Sequence, residues 1–100
     1  MLKAVHKEIM SKEGDGKVAW VNDNIESGLT ADGFDEAIIG ISERFGRNPI
    51  VAYDKDKCIE KLESDGMTYG EAVEFFDFNV IGSWMGEETP EFITLYKENE

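Results

Sequence analysis

The sequence predicts an α+β fold, in which three helices pack on a small, mostly antiparallel sheet of three or four strands. Two consecutive segments, 55–65 and 68–81, combine helix-capping residues with apolar residues at helical spacing. A third segment with the same features, 33–45, predicts the remaining helix. Short runs typical of strands lie at 17–21, 49–53 and 91–96.

The segment 67–84 is the densest apolar and aromatic run, and we expect the rest of the chain to pack around it. Thr68 and Glu71 have the spacing of a capping box, in which each side chain accepts from a backbone amide at the helix start. Phe75 and Phe78 lie outside the buried stripe of this helix, so we expect it to be covered on more than one side. The stripe itself follows helical spacing and consists of Ala72, Val73, Phe76 and Val80.

The first thirty residues allow two interpretations. Residues 5–11 fit either one face of a helix or an alternating strand, and the Asp15–Gly16 pair suits a tight turn. Segment 5–11 is therefore either a hairpin partner of 17–21 or a helix that precedes it. Residues 22–31 are predicted to form a loop.

The helix predicted at 33–45 begins after Asp32, whose carboxylate can cap it. Gly46 can serve as its C-terminal cap, and Pro49 bars its continuation. Its apolar stripe recurs at i, i+4, i+7 and i+11 and consists of Phe34, Ile38, Ile41 and Phe45.

The helix at 55–65 follows a short buried strand and is capped by Asp54. Gly66 ends it, and the short connection Asp65 to Met67 leads to Thr68, so the two helices should form a tight αα corner. Its predicted core residues are Cys58, Ile59 and Leu62.

The chain has 100 residues, which predicts a single domain over 1–100, with a variable N-terminal segment at 1–30 and a core at 31–96. Cys58 is the only cysteine, which excludes an intrachain disulfide and favours a reducing compartment. No apolar run approaches the ~20 residues that cross a bilayer, and the N-terminus lacks the apolar core of a signal peptide. We therefore expect a cytoplasmic protein that does not bind membranes.

The charge is strongly negative and unevenly distributed. The 22 acids exceed the 10 bases, which leaves a net charge of −12. No Lys, Arg or His lies between Lys61 and Lys97, where eight acids are found. Such a surface favours basic partners and disfavours nucleic acid and anionic lipid.

Recognisable metal, cofactor and catalytic motifs are missing from the sequence. One Cys and one His cannot make a four-ligand zinc site. The stretch from Asp54 resembles the start of a calcium loop, but Ile59 and Asp65 stand where that loop requires Gly and Glu. No glycine-rich phosphate loop is present. We expect no metal, no cofactor and no catalytic residues, hence a non-enzymatic protein.

The two adjacent helices have the outline of a helix-turn-helix, but the second carries no base to meet phosphates. Its acids Glu71, Glu74 and Asp77 repeat every third residue, so they step about 4.5 Å along the axis. Such a ridge could imitate nucleic acid to a groove lined with Lys and Arg; the alternative is an ordinary solvated polar face. The expected partner is a basic protein, such as a nucleic-acid-binding protein. The predicted partner-binding residues are Glu71, Glu74, Asp77, Glu87, Glu88 and Trp84.

Two other functions stay open. A small enzyme or small-molecule binder could use a pocket near Tyr53, Asn79 and Trp84. A homo-oligomeric structural protein could use Phe75 and Phe78 as its contact. The sequence predicts no oligomeric state.

A long pattern runs through residues 31–93. Its segments are DGFDEAIIG (32–40), ERFG (43–46), YDKDK (53–57), DGMTYGEA (65–72), FFDFN (75–79) and GSWMGEETP (82–90). Together they resemble an uncharacterised family of small acidic proteins from phages, prophages and environmental sequences, to which no activity is attached. The resemblance implies a phage accessory protein in the cytoplasm of a bacterial host. It implies no functional residues.

Overall fold

The computed structural model describes residues 2–4, 16–26 and 28–98, and it shows an α+β fold with three α-helices in those residues. Each described helix falls short of what a membrane crossing requires. The elements in chain order are β1 (Leu2–Ala4), α1 (Gly16–Asn24), β2 (Leu29–Ala31), a 3-10 turn (Asp35–Ala37), β3 (Ile38–Ser42), β4 (Ile50–Asp54), α2 (Lys55–Ser64), α3 (Tyr69–Phe76), a π-helical turn (Asp77–Ile81) and β5 (Glu91–Ile93).

The main sheet has three strands in the order β3-β4-β5. β3 and β4 are antiparallel, with Ile38 opposite Tyr53, whereas β5 runs parallel to β4 and places Phe92 opposite Tyr53. β1 and β2 form a separate antiparallel pair. Two of the three described strand pairings are thus antiparallel, and the predicted α+β class is confirmed.

β4 is the central strand, and all five of its residues are buried. A strand with neighbours on both edges and elements on both faces has few solvent-facing positions, which explains its apolar sequence. The hydroxyl of Tyr53 accepts a hydrogen bond of 2.7 Å from the amide of Ala31, so β4 is tied to β2. Its ring also stacks on Phe92 of β5, with centroids 5.2 Å apart.

The two helices predicted around the αα corner are present. Asp54 caps α2 by accepting from the amides of Asp56 and Lys57. Thr68 and Glu71 form the predicted capping box at the start of α3. The helix continues as the π-helical turn, in which the amide of Gly82 donates to the carbonyl of Asp77 over 3.0 Å.

The core centres on α3. Phe76 is fully buried, with its ring edge-to-face against Phe34 at 6.4 Å and against Phe92 at 5.2 Å. Ala72 and Val80 are also fully buried, which confirms the predicted inner face of this helix. These contacts fix which side of α3 points outward.

The helix predicted at 33–45 is wrong. The chain instead forms a 3-10 turn and then strand β3, with a register irregularity between Ile38 and Gly40. Closely spaced isoleucines and a glycine disfavour a helix, and the isoleucines suit a pleated surface. The apolar spacing was misleading because only part of the stripe belongs to the core. Phe34 and Ile38 are buried, but Phe45 at the end of the stripe is fully exposed.

The strand predicted at 17–21 is also wrong, because helix α1 occupies it. Val18, Val21 and Ile25 follow helical spacing, and Val21 and Ile25 are buried in the core. The strand interpretation stopped at Val21 and so missed the third member of this stripe. The predicted loop at 22–31 contains β2, and the final strand is shorter than predicted. The alternatives for 5–11 lie outside the described residues.

Candidate partner-binding face

The acids predicted on the central helix lie along the outer side of α3 and the π-helical turn. Glu71, Glu74 and Asp77 are all exposed. Burial of Phe76 on the opposite side sets this orientation, because a helix that buries one stripe presents the other to solvent. The structure therefore brings these three carboxylates to one surface, as the spacing predicts.

Glu71 has a structural task as well. Its Oε1 accepts from the amide of Thr68 over 2.9 Å, and the Thr68 hydroxyl accepts from the amide of Glu71 over 3.2 Å. This reciprocal pair satisfies two amides that the first helical turn leaves without partners. Changes at Glu71 would therefore disturb the helix start as well as the surface charge.

Glu74 and Asp77 have no ion pair with any residue of the described chain. Their position is electrostatically unfavourable, because like charges three residues apart on a helix repel each other and α3 has no basic residue in its last turn. The following π-helical turn also lacks a base. Within the described chain these two carboxylates are thus exposed, without an ion pair and close to acids of the same helix.

An open depression of about 350 Å³ lies on the same side of α3. Its apolar lining comes from Met67 and Phe75, which are half-buried against the core, and from Phe78, which is 73% exposed. We expected Phe78 to be covered by other parts of the fold, and within the described chain it is not. The polar lining residues are Glu71, Glu74 and Asn79.

Glu87 and Glu88 differ from the helix acids because the loop after β3 supplies partners. Arg47 forms an ion pair of 2.9 Å with Glu87, and the side-chain amide of Asn48 donates to Glu88 over 3.0 Å. Arg44 also donates to the backbone oxygen of Glu87 over 3.3 Å. The negative charge predicted at this part of the face is therefore partly neutralised within the fold.

Trp84 follows the π-helical turn and is 71% exposed. Ile81 and Met85 beside it in the chain are also exposed, so apolar side chains continue past Phe78. Tryptophans in such positions are frequent anchors of protein interfaces. This placement agrees with a contact role for Trp84.

The residues expected to line one pocket, Tyr53, Asn79 and Trp84, do not lie together. Tyr53 is fully buried in the core, whereas Asn79 and Trp84 are exposed on the surface. Burial raises the pKa of the Tyr53 hydroxyl well above its ordinary value, which makes it a poor proton donor at neutral pH.

A second depression, of about 540 Å³, lies between the 3-10 turn and α2. Its lining carries both signs of charge, with Asp35 on the 3-10 turn and Lys57, Glu60 and Lys61 on α2. Lys61 also pairs with Asp65 over 3.0 Å, so part of its charge is already used. Sequence reasoning missed this groove because its first wall was predicted to be a helix.

Metal binding and thiol chemistry have no support among the described residues. No group of three or more His, Cys, Asp or Glu side chains there could hold a metal ion. Cys58 is fully buried, and loss of solvation raises the pKa of its thiol to about 12. A thiol of this kind stays protonated and unreactive at neutral pH.

Comparisons of the chain with protein-family models, with curated proteins and with solved structures each found no match.

Proposed function

We propose that this chain is a non-enzymatic binding protein that engages a basic protein partner through the outer face of α3. The observation that carries the proposal is the unpaired state of Glu74 and Asp77 within the described chain. A cationic partner supplies the charge that the fold leaves out. Glu71 adds a third carboxylate on the same side.

The position of these acids supports a role in binding. Neighbouring acids on one side of a helix cost stability, and residues that break a local rule are often functional ones. The chain does place cations beside other acids, for example Arg47 beside Glu87. Glu74 and Asp77 lack such cationic partners in the described chain, although acids elsewhere in the fold have them.

The resemblance to small phage proteins supports a bacterial host cell as the place where this binding occurs. In a bacterial host the basic partner is a nucleic-acid enzyme or a defence complex, and the acidic ridge blocks the groove that binds DNA or RNA. A nucleic-acid-like ridge suits such a groove because Lys and Arg side chains line it to meet phosphates.

The test reverses the charge of the face without touching the helix cap. In the double variant Glu74→Lys/Asp77→Lys we expect capture of the partner from bacterial lysate to fall at least tenfold at low salt. Wild-type capture should itself weaken as salt is raised, because exposed charges are screened. Duplex DNA should release the captured protein.

The matched control is Glu26→Lys/Glu98→Lys, which changes the net charge equally at two exposed positions outside the face. This control should retain at least half of the wild-type capture. Equal losses in the two double variants would show that only net charge matters and would reject the face. Circular dichroism should show both variants folded. We expect Glu74→Lys/Asp77→Lys to be at least as stable as wild type, because the change turns the repulsion between Glu71 and position 74 into attraction.

A further inference from the structure

We infer that the outer face of α3 binds a basic amphipathic segment of its partner, with an apolar side chain in the depression and Lys or Arg beside it. This inference rests on the proposed function and specifies the chemistry of the bound segment. A plain imitation of nucleic acid requires only carboxylates, whereas this surface also carries exposed aromatic carbon.

The apolar part of the face is Phe78 with the half-buried Phe75 and Met67 beneath it. Phe78 is 73% exposed, and an aromatic side chain offers ~150–250 Å² of surface for burial. A shallow apolar depression of about 350 Å³ has room for an aliphatic side chain from another molecule. Exposed apolar surface rimmed by polar groups is typical of interaction sites.

The charged part of the face selects the neighbours of that side chain. Glu71 and Glu74 line the depression, and Asp77 directly precedes Phe78 in the chain. Any group that enters the depression therefore comes within reach of carboxylates, two of which have no described ion pair. Lys and Arg suit this rim because their aliphatic stems cover apolar carbon while their charged ends reach the acids.

The same charges disfavour other occupants. A second copy of the chain would bring a net charge of −12 against this surface, and nucleic acid would bring phosphates. The segment that remains is both cationic and apolar. Glu71 and Phe78 are about 10 Å apart along the axis at ~1.5 Å per residue, which matches two turns of a partner helix.

The experiment compares two synthetic peptides of equal positive charge, each about 15 residues long so that a helix can form. One carries leucines at i, i+3, i+4 and i+7 between lysines, and the other carries serines at those positions. Titration into the full chain, followed by calorimetry and by amide shifts in NMR spectra, should give about tenfold tighter binding of the leucine peptide. Burial of one leucine side chain is sufficient for that ratio.

Phe78→Ser should reduce the affinity for the leucine peptide to that for the serine peptide and leave the latter unchanged. The control is Tyr96→Ser on the C-terminal segment, outside the face. Phe78 and Tyr96 are both exposed, Tyr96 to 88%, so the two substitutions remove comparable surface aromatic rings. Tyr96→Ser should retain the tenfold preference. The amide shifts should map to residues 67–79 of the wild-type chain.

The possible negative results can be told apart. Equal affinities for the two peptides would overturn the inference and leave the proposed acidic contact standing. Unchanged binding of both peptides to Glu74→Lys/Asp77→Lys would overturn the proposed function and the inference together. Light scattering that shows a dimer lost in Phe78→Ser would assign the face to a second copy and overturn the inference.

Discussion

The two sides of α3 carry similar residue types in opposite surroundings. On the inner side Phe76 is fully buried between the rings of Phe34 and Phe92. On the outer side, two residues further along, Phe78 projects into solvent beside acids that have no ion pair within the described chain. An exposed phenylalanine adds little to the stability of the fold, so the inner side of this helix carries the stabilising contacts and the outer side carries the proposed binding surface.

The largest expected effect tests this separation directly. Phe76→Ala should lower the free energy of unfolding by about 3–5 kcal/mol, because it removes a buried ring together with its contacts to neighbouring rings and leaves a cavity. Phe78→Ala should change it by less than about 0.5 kcal/mol, since surface substitutions have small effects. Urea unfolding followed by circular dichroism measures both. Similar losses in the two variants would mean that Phe78 is buried in solution, and the contrast would fail.

A smaller effect concerns the π-helical turn that leads from α3 to the exposed Trp84. A Cβ at Gly82 would lie 2.8 Å from the carbonyl oxygen of Phe78 and 3.1 Å from that of Asp77. Gly82→Ala should therefore destabilise the protein by about 1–3 kcal/mol, because backbone atoms have to move.

The matched control is Gly70→Ala in the first turn of α3, where a Cβ meets nothing within 4 Å. Here alanine should stabilise the protein by up to about 1 kcal/mol, since it favours the helix. Thermal unfolding of both variants checks the opposite signs. A stabilising Gly82→Ala would indicate that the chain leaves α3 by another path.

The smallest effect compares the titration of buried groups in the folded core with their titration in the unfolded chain. Cys58 keeps its proton in the folded chain to a pKa of about 12, whereas an unfolded thiol loses it near ~8.5. Above that pH the unfolded chain binds fewer protons, so the free energy of unfolding should fall as pH rises. Tyr53, whose pKa is also raised by burial, should add to this fall above about pH 10.

Urea unfolding at pH 7, 9 and 10 measures the slope of stability against pH. Cys58→Ala should flatten this slope between about pH 8.5 and 10, whatever its effect on stability at pH 7. An unchanged slope would show that the thiol is accessible to solvent in the folded protein.

The parts of the fold that sequence patterns predict are those with local causes. Asp54 and Thr68 cap α2 and α3 within three residues of their own positions, so the cause of each helix start is visible in a short window. The apolar run of β4 is equally local. The spacing of Glu71, Glu74 and Asp77 follows from the helix and is reproduced on its outer side.

The sequence-based predictions that were wrong concern features that depend on residues distant in the chain. β3 is a strand because β4 lies beside it, and the apolar spacing of 34–45 alone cannot distinguish that pairing from a helix. The neutralisation of Glu87 by Arg47 joins residues 40 positions apart, so an uninterrupted run of acids in the sequence concealed it. The exposure of Phe78 is likewise known only once the opposite side of α3 is packed.

The parallel pairing of β5 with β4 bears on how the chain folds during synthesis. Residues 91–93 meet residues 52–54 only after α2, α3 and the π-helical turn have been made. A ribosome-bound chain that has not reached Glu91 leaves one edge of β4 unpaired and Tyr53 without the ring of Phe92. Unpaired apolar edges are templates for aggregation. The most deeply buried strand is therefore also the one that depends on late translation for its second neighbour.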